Sequence, residues 1–189
     1  VSPLCLGAMM FGGPTPMADA ERIAEMAIER GAFFWDTADI YGSGASEEVC
    51  GRLLEGRRQQ VVLATKAFAS MGPGPNDRGL SARHLIEACE ASLRRLKTDW
   101  IDLYTLHLPD HSVPMEETLR AAEDLMRSGK VRYLGAFRFH QEIDRAVQLL
   151  AETPGIEAAL THEFPVTDAE EAFATARDSQ RSGKVVFAL

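Results

Sequence analysis

The feature that most constrains this chain is a regular alternation of short apolar segments and helical patterns. We predict strands at residues 4–11, 33–37, 61–66, 101–107 and 131–137. Helices are predicted between them, at residues 19–30, 46–56, 81–96 and 114–129. Strands that recur about every thirty to forty residues, with a helix in between, form parallel βαβ units. The chain is therefore an α/β protein, built either as a barrel or as a doubly wound sheet.

The glycine pattern favours the barrel. A doubly wound dinucleotide fold carries a GxGxxG turn directly after its first strand, and no such turn follows residues 4–11. Gly42-Ser43-Gly44 is a single GxG and is typical of an ordinary turn. We therefore expect an incomplete TIM-type (β/α)8 barrel of about five βα units, followed by an α/β tail.

Composition and charge limit the classes of partner that this chain can be expected to bind. The chain has 189 residues and a net charge of −8, which disfavours nucleic acid and anionic membranes as partners. No apolar run approaches the roughly 20 residues of a membrane span. The three cysteines, Cys5, Cys50 and Cys89, form no CxxC, so we expect buried thiols in the reducing cytoplasm and no metal site.

Polar residues lie at the ends of three successive predicted strands. Asp36 and Tyr41 follow the second strand, Lys66 ends the third and His107 ends the fourth. The carboxyl ends of parallel strands share one rim, which is where α/β folds place their chemistry. Taken alone, each residue has an ordinary structural explanation: packing at the rim, exposure to solvent or capping of a turn. The four together predict a site.

The chemistry of this set suits proton donation. A free tyrosine has a pKa of about 10, and a neighbouring ammonium stabilises the phenolate. Lys66 can supply that ammonium if Asp36 holds it in place, and His107 can orient a substrate oxygen. Such a site fits reduction of a carbonyl by a bound nicotinamide, with Tyr41 as the acid. No GxSxG turn supports a serine hydrolase instead.

Several longer motifs carry a resemblance to a known family. They are LCLGAMMFGG, FFWDTADIYGSGASEEVCGRLL, VVLATK, SLRRLKTDWIDLYTLHLPD and EETLRAAEDLMRSGKVRYLGA. Residues 1–136 resemble the aldo-keto reductases, which are (β/α)8 barrels that reduce aldehydes and ketones with NAD(P)H. The resemblance implies Asp36, Tyr41, Lys66 and His107 as the catalytic tetrad. It also implies NADPH as cofactor, with NADH as a possibility, held in part by Gly7, Asp36 and Lys66.

The resemblance ends near residue 136. The family would continue with a Ser-Asn pair, where this chain has Ala136-Phe137-Arg138. Residues 137–189 resemble instead the end of a medium-chain zinc alcohol or polyol dehydrogenase such as an L-idonate or sorbitol dehydrogenase, without its zinc ligands. We expect this tail to form a second domain, packed on the barrel of residues 1–136. Its predicted elements are helices at 143–150 and 167–177 and strands at 158–161 and 184–189. A hairpin is expected to precede Val1 in a longer chain.

These observations leave more than one functional hypothesis. The first is reduction of a small carbonyl substrate, with NADPH as donor of the hydride and Tyr41 as donor of the proton. The alternative is a truncated or fused remnant that acts only as a folded module and oligomerises through an open sheet edge. A polyol dehydrogenase activity contributed by the tail is a third hypothesis, which the missing zinc ligands disfavour.

Overall fold

The computed structural model describes residues 1–137, 162–165 and 185–188. The chain divides into two compact units, residues 1–138 and 139–189. The first unit alternates strands and helices in the order β1 (Cys5–Gly7), α1 (Met17–Glu29), β2 (Phe34–Asp36), α2 (Ala45–Leu53), β3 (Val62–Ala67), α3 (Ala82–Leu96), β4 (Ile101–Leu106), α4 (Met115–Arg127) and β5 (Val131–Ala136). Short 3-10 turns at Tyr41–Gly44 and Arg58–Gln60 precede α2 and β3.

The strands of the first unit form one parallel sheet in the order β1-β2-β3-β4-β5. Spatial order thus follows chain order without the reversal that defines a doubly wound sheet. This is the strand order of a (β/α)8 barrel, and the predicted partial barrel is confirmed. All five strands therefore present their carboxyl ends on the same side.

The second unit contributes two described strands, β6 (His162–Pro165) and β7 (Val185–Ala188), which pair in parallel with each other. The strand predicted at 184–189 is confirmed as β7. The predicted helices at 143–150 and 167–177, and the predicted strand at 158–161, lie outside the described residues.

Strand β1 is shorter than predicted, and helix α1 packs through small side chains. Strand β1 ends at Gly7 instead of residue 11, because the chain turns at once and the Phe11 N–H donates to the Ala8 carbonyl. Helix α1 buries Ala20 and Ala24, whereas the larger Ile23 and Met26 remain partly exposed. Alanines four residues apart form a flat face that packs closely, so small side chains define the buried face.

The cysteines correct one further expectation. Cys50 and Cys89 are buried as predicted, but Cys5 is exposed on β1, which pairs only with β2 among the described strands. Desolvation is the main cause that raises the pKa of the Cys5 thiol to about 11 and those of Cys50 and Cys89 to about 12. All three are therefore weak nucleophiles.

Within the described residues, no helix combines the length and apolarity that crossing a bilayer requires.

Asp102 organises the opposite end of the sheet, where β4 begins. Its carboxylate accepts hydrogen bonds from the guanidinium groups of Arg58 at 2.6 Å and Arg132 at 2.8 Å. It also accepts from the Leu63 backbone N–H at 3.0 Å and the Trp100 indole at 3.2 Å. Both guanidinium groups lie over the Trp100 ring. One carboxylate therefore links β3, β4 and β5 at the end of the sheet opposite to the carboxyl ends of the strands.

We expect the substitution Asp102→Ala to lower the free energy of unfolding by about 3 kcal/mol, because it leaves the largely buried Arg58 cation without its partner. Urea denaturation followed by circular dichroism measures the change. The matched control Asp99→Ala removes an exposed carboxylate three residues away and should change stability by less than about 0.5 kcal/mol. A loss of under about 1 kcal/mol for Asp102→Ala would contradict the assignment.

Candidate active site

The four predicted catalytic residues all lie at the carboxyl end of the sheet. Asp36 is the last residue of β2, and Tyr41 begins the 3-10 turn that follows it. Lys66 is the penultimate residue of β3, and His107 directly follows β4. Their convergence follows from the parallel order of the strands, because neighbouring strands deliver consecutive end residues to one rim.

Lys66 is the centre of the cluster. Its ammonium donates to Asp36 Oδ2 at 2.6 Å, to the Thr37 carbonyl at 2.8 Å and to the Tyr41 hydroxyl at 3.3 Å. These three acceptors match the three protons of an ammonium group. The Lys66 side chain is only 8% exposed, so these bonds replace the water that it loses. Lys66 is thereby fixed as a cation beside the phenol.

Aromatic contacts complete the rim. The imidazole of His107 meets the Tyr41 ring edge-on, with centroids 6.0 Å apart and planes at 85°. The ring of Phe137 also lies near His107, with centroids 6.0 Å apart and planes at 51°. The Phe137 backbone N–H donates to the Leu106 carbonyl, which fixes this residue beside β4. Sequence reasoning noted Phe137 as a departure from the family pattern and did not predict its contact with His107.

Gly7 leaves open space beside the cluster. It pairs in register with Asp36, so a side chain at position 7 would share the sheet face of the Asp36 carboxylate. A Cβ atom built on Gly7 meets no other atom within 4 Å. A flat group could therefore lie against the backbone of β1 next to Asp36. This space fits the predicted role of Gly7 at a cofactor site.

Residues at the start of α2 support the cluster through hydrogen bonds. The sequence did not predict these contacts. Ser46 was interpreted as the opening of a helix, but its hydroxyl donates to the Ala8 carbonyl at 2.7 Å and shares a 2.8 Å hydrogen bond with Thr37 Oγ1. The Thr37 carbonyl is itself an acceptor for Lys66. Ser46 therefore holds the side chain of the residue whose carbonyl accepts from the ammonium.

Glu47 makes a second connection. Its fully buried carboxylate accepts from Thr65 Oγ1 at 2.5 Å and from Arg95 Nε at 2.6 Å. Thr65 directly precedes Lys66 on β3, so the pairing fixes this strand against α2 and α3. Arg95 reaches Glu47 past Gly44, which has a φ of 97° and whose added Cβ would lie 2.7 Å from the Arg95 side chain. Only glycine satisfies both conditions.

The cluster brings the Tyr41 hydroxyl next to the Lys66 ammonium. An ammonium held at 3.3 Å from a hydroxyl oxygen can stabilise negative charge that develops nearby. The carboxylate of Asp36 balances the charge of Lys66 and is itself 30% exposed on the rim. Such an arrangement can give a proton to an oxygen that acquires negative charge next to Tyr41.

Comparison with known proteins agrees with this geometry. The model of the aldo/keto reductase family matches residues 3–162, which extends beyond the boundary at residue 136 predicted from the motifs. An uncharacterized oxidoreductase, YrpG of Bacillus subtilis, is 44% identical over 150 residues, covering 74% of this chain and 46% of that protein. A probable voltage-gated potassium channel subunit beta of Arabidopsis thaliana is 41% identical over 139 residues, covering 71% of this chain and 42% of that protein.

A solved structure supports the same assignment. The aldo-keto reductase AKR11C1 from Bacillus halodurans, in its holo form, superposes with a TM-score of 0.73 at 31% identity. The match covers 99% of this chain and 61% of that protein. The chain spans less than half the length of the two curated relatives described above. With a family match over most of its residues and a barrel strand order, this chain belongs to the aldo/keto reductase family of oxidoreductases.

Proposed function

We propose that this chain carries the proton-donating centre of an NADPH-dependent reductase of aldehydes or ketones. The observation that carries the proposal is the contact of the buried Lys66 ammonium with both the Asp36 carboxylate and the Tyr41 hydroxyl. A buried cation costs several kcal/mol of desolvation unless it is paired. A site that holds this cation against a phenol is organised to stabilise a phenolate.

In the proposed reaction, Tyr41 donates its phenolic proton to the carbonyl oxygen of the substrate as that oxygen gains negative charge. Lys66 stabilises the phenolate that remains, through the 3.3 Å contact between Nζ and the hydroxyl oxygen. Asp36 keeps the ammonium aimed at Tyr41 through its 2.6 Å hydrogen bond. Proton transfer from a positioned side chain contributes roughly 100-fold to 10,000-fold to a rate.

His107 is proposed to orient the substrate. Its ring stands edge-on to Tyr41, so an oxygen that accepts the tyrosine proton lies within reach of the imidazole as well. A second hydrogen bond to the same oxygen fixes its direction and stabilises the charge that develops there. The ring of Phe137 also lies near the imidazole and would restrict its rotation.

The cofactor is proposed to lie over β1. Gly7, Asp36 and Lys66 would hold its nicotinamide end, since Gly7 leaves the sheet face open next to Asp36. When bound, NADPH supplies the hydride to the carbonyl carbon. The preference for NADPH over NADH rests on the family resemblance. The positions at which the family pattern has its Ser-Asn pair read Ala136-Phe137-Arg138, so the amide of the nicotinamide needs other donors here.

The remaining expectations extend this proposal. We propose a cytoplasmic reductase of a small carbonyl compound, with a domain boundary near residue 136 and a tail of the dehydrogenase type. A non-catalytic module that only oligomerises is less favoured. Burying Lys66 among three acceptors and a phenol costs desolvation energy that a purely structural rim does not require.

We expect Tyr41→Phe to lower kcat for aldehyde reduction by at least about 100-fold, because it removes the proton donor and keeps the ring that contacts His107 and Lys66. The loss of NADPH absorbance at 340 nm measures turnover. The matched control Tyr133→Phe changes a tyrosine that is 52% exposed and should leave kcat unchanged. Equal activity of Tyr41→Phe and the wild type would refute the assignment of Tyr41.

We expect Gly7→Val to weaken NADPH binding by about tenfold, because two methyl groups would fill the open face beside Asp36. A fluorescence titration gives the dissociation constant, and a factor of ten corresponds to about 1.4 kcal/mol. A β-branched residue suits a strand, so β1 should persist. The control Gly13→Val alters a loop glycine with one loose backbone contact, and it should bind NADPH normally. An unchanged affinity of Gly7→Val would place the cofactor elsewhere.

A further inference from the structure

Asp39 is a buried carboxyl group two residues before Tyr41, the proposed proton donor. It is 0% exposed, and its backbone N–H donates to the Lys66 carbonyl at 3.1 Å. Neither carboxyl oxygen has a hydrogen-bond partner of ordinary geometry among the described residues. An ionised carboxylate in such a place is strongly disfavoured, because burial removes its water and nothing replaces it.

The charged groups that face Asp39 come from every element around it. Glu47 on α2 is an anion, Arg95 on α3 and Lys66 on β3 are cations, and the phenol of Tyr104 on β4 is fully buried. Both cations already have acidic partners, since Arg95 pairs with Glu47 and Lys66 with Asp36. Ionised Asp39 would therefore add one negative charge to two balanced pairs.

Burial is the main cause that raises the pKa of Asp39 to about 7, and the charge of Glu47 raises it further. The Ile40 N–H and the cations Arg95 and Lys66 oppose this rise and do not cancel it. Asp39 thus changes charge in the range of pH in which such reductions are measured.

We propose that Asp39 is a positioning residue that must keep its proton while Tyr41 donates its own. Once ionised, Asp39 adds an uncompensated negative charge near Lys66. This charge opposes formation of the Tyr41 phenolate, which is also negative. The protonated form leaves the field of Lys66 directed at the phenol. This inference rests on the proposed function, because it assigns Asp39 a role in the same proton transfer.

The first expected effect of a buried Asp39 is on the pH dependence of folding stability. The carboxyl group has a higher pKa in the folded chain than in the unfolded chain, so the folded state binds the proton more tightly. Its stability therefore falls as pH rises from about 4 to about 7 and stays low above that. The substitution Asp39→Asn removes the charge at nearly constant size, so this fall should be lost.

The first experiment compares urea unfolding of the wild type, Asp39→Asn and the exposed control Asp99→Asn at pH 5 and pH 8. The unfolding constant of the wild type should rise on the order of 100-fold more than that of Asp39→Asn between these pH values. The control should follow the wild type. Equal pH dependence of wild type and Asp39→Asn would overturn the assignment of Asp39 as a buried acid that titrates near neutrality.

The second experiment reads the coupling to Tyr41 without requiring turnover. Absorbance at 295 nm follows phenol ionisation, and subtraction of the Tyr41→Phe titration isolates Tyr41. The ionisation constant of Tyr41 should be about threefold larger in Asp39→Asn than in the wild type, because a nearby negative charge is gone. An identical titration in the two proteins would overturn the proposed coupling, even if the stability signature is present.

The pH profile of kcat separates this inference from the proposed function. If both hold, kcat of the wild type falls above about pH 7 and the fall is absent in Asp39→Asn. If the wild type reduces carbonyl compounds and both proteins share one pH profile, the inference fails alone. If the wild type shows no turnover but the Tyr41 titration shifts, the proposed function fails and the electrostatic coupling of Asp39 stands.

Discussion

The pairing of Lys66 with Asp36 is the interaction on which the rest of the candidate site depends. An ammonium that is almost fully buried requires acceptors for each of its protons, and it finds them in Asp36, Thr37 and Tyr41. If Asp36 were lost, the buried ammonium would lose its anionic partner, which is a strongly destabilising change. The Tyr41 hydroxyl would then lose the fixed ammonium that lies 3.3 Å from it, so one pairing orders both side chains.

This arrangement needs support that lies outside the four rim residues. Ser46 binds the side chain of Thr37, and Glu47 links Thr65 to Arg95, so the start of α2 contacts both segments that carry the ion pair. At the opposite end of the sheet, Asp102 joins β3, β4 and β5 through separate hydrogen bonds. The barrel segment thus has two polar clusters at opposite ends of the strands, and the proposed chemistry belongs to the one around Lys66.

The sequence predicted the strand order and the meeting of Asp36, Tyr41, Lys66 and His107, because both follow from alternating βα units and the polarity of strand ends. It did not predict the burial of Glu47 or the contact of Phe137 with His107. Those depend on which helix faces the sheet and on the exact end of each strand. Local patterns specify elements well, whereas close packing is decided by several elements together.

We propose that the cluster around Lys66 serves hydride reduction of a carbonyl, with the proton supplied at Tyr41. The most direct measurement incubates the chain with a simple aromatic aldehyde and NADPH that carries deuterium at the transferable C4 position. Mass spectrometry then locates the label in the product. The account predicts an alcohol with one deuterium at the former carbonyl carbon. Bound NADPH without labelled alcohol would contradict it.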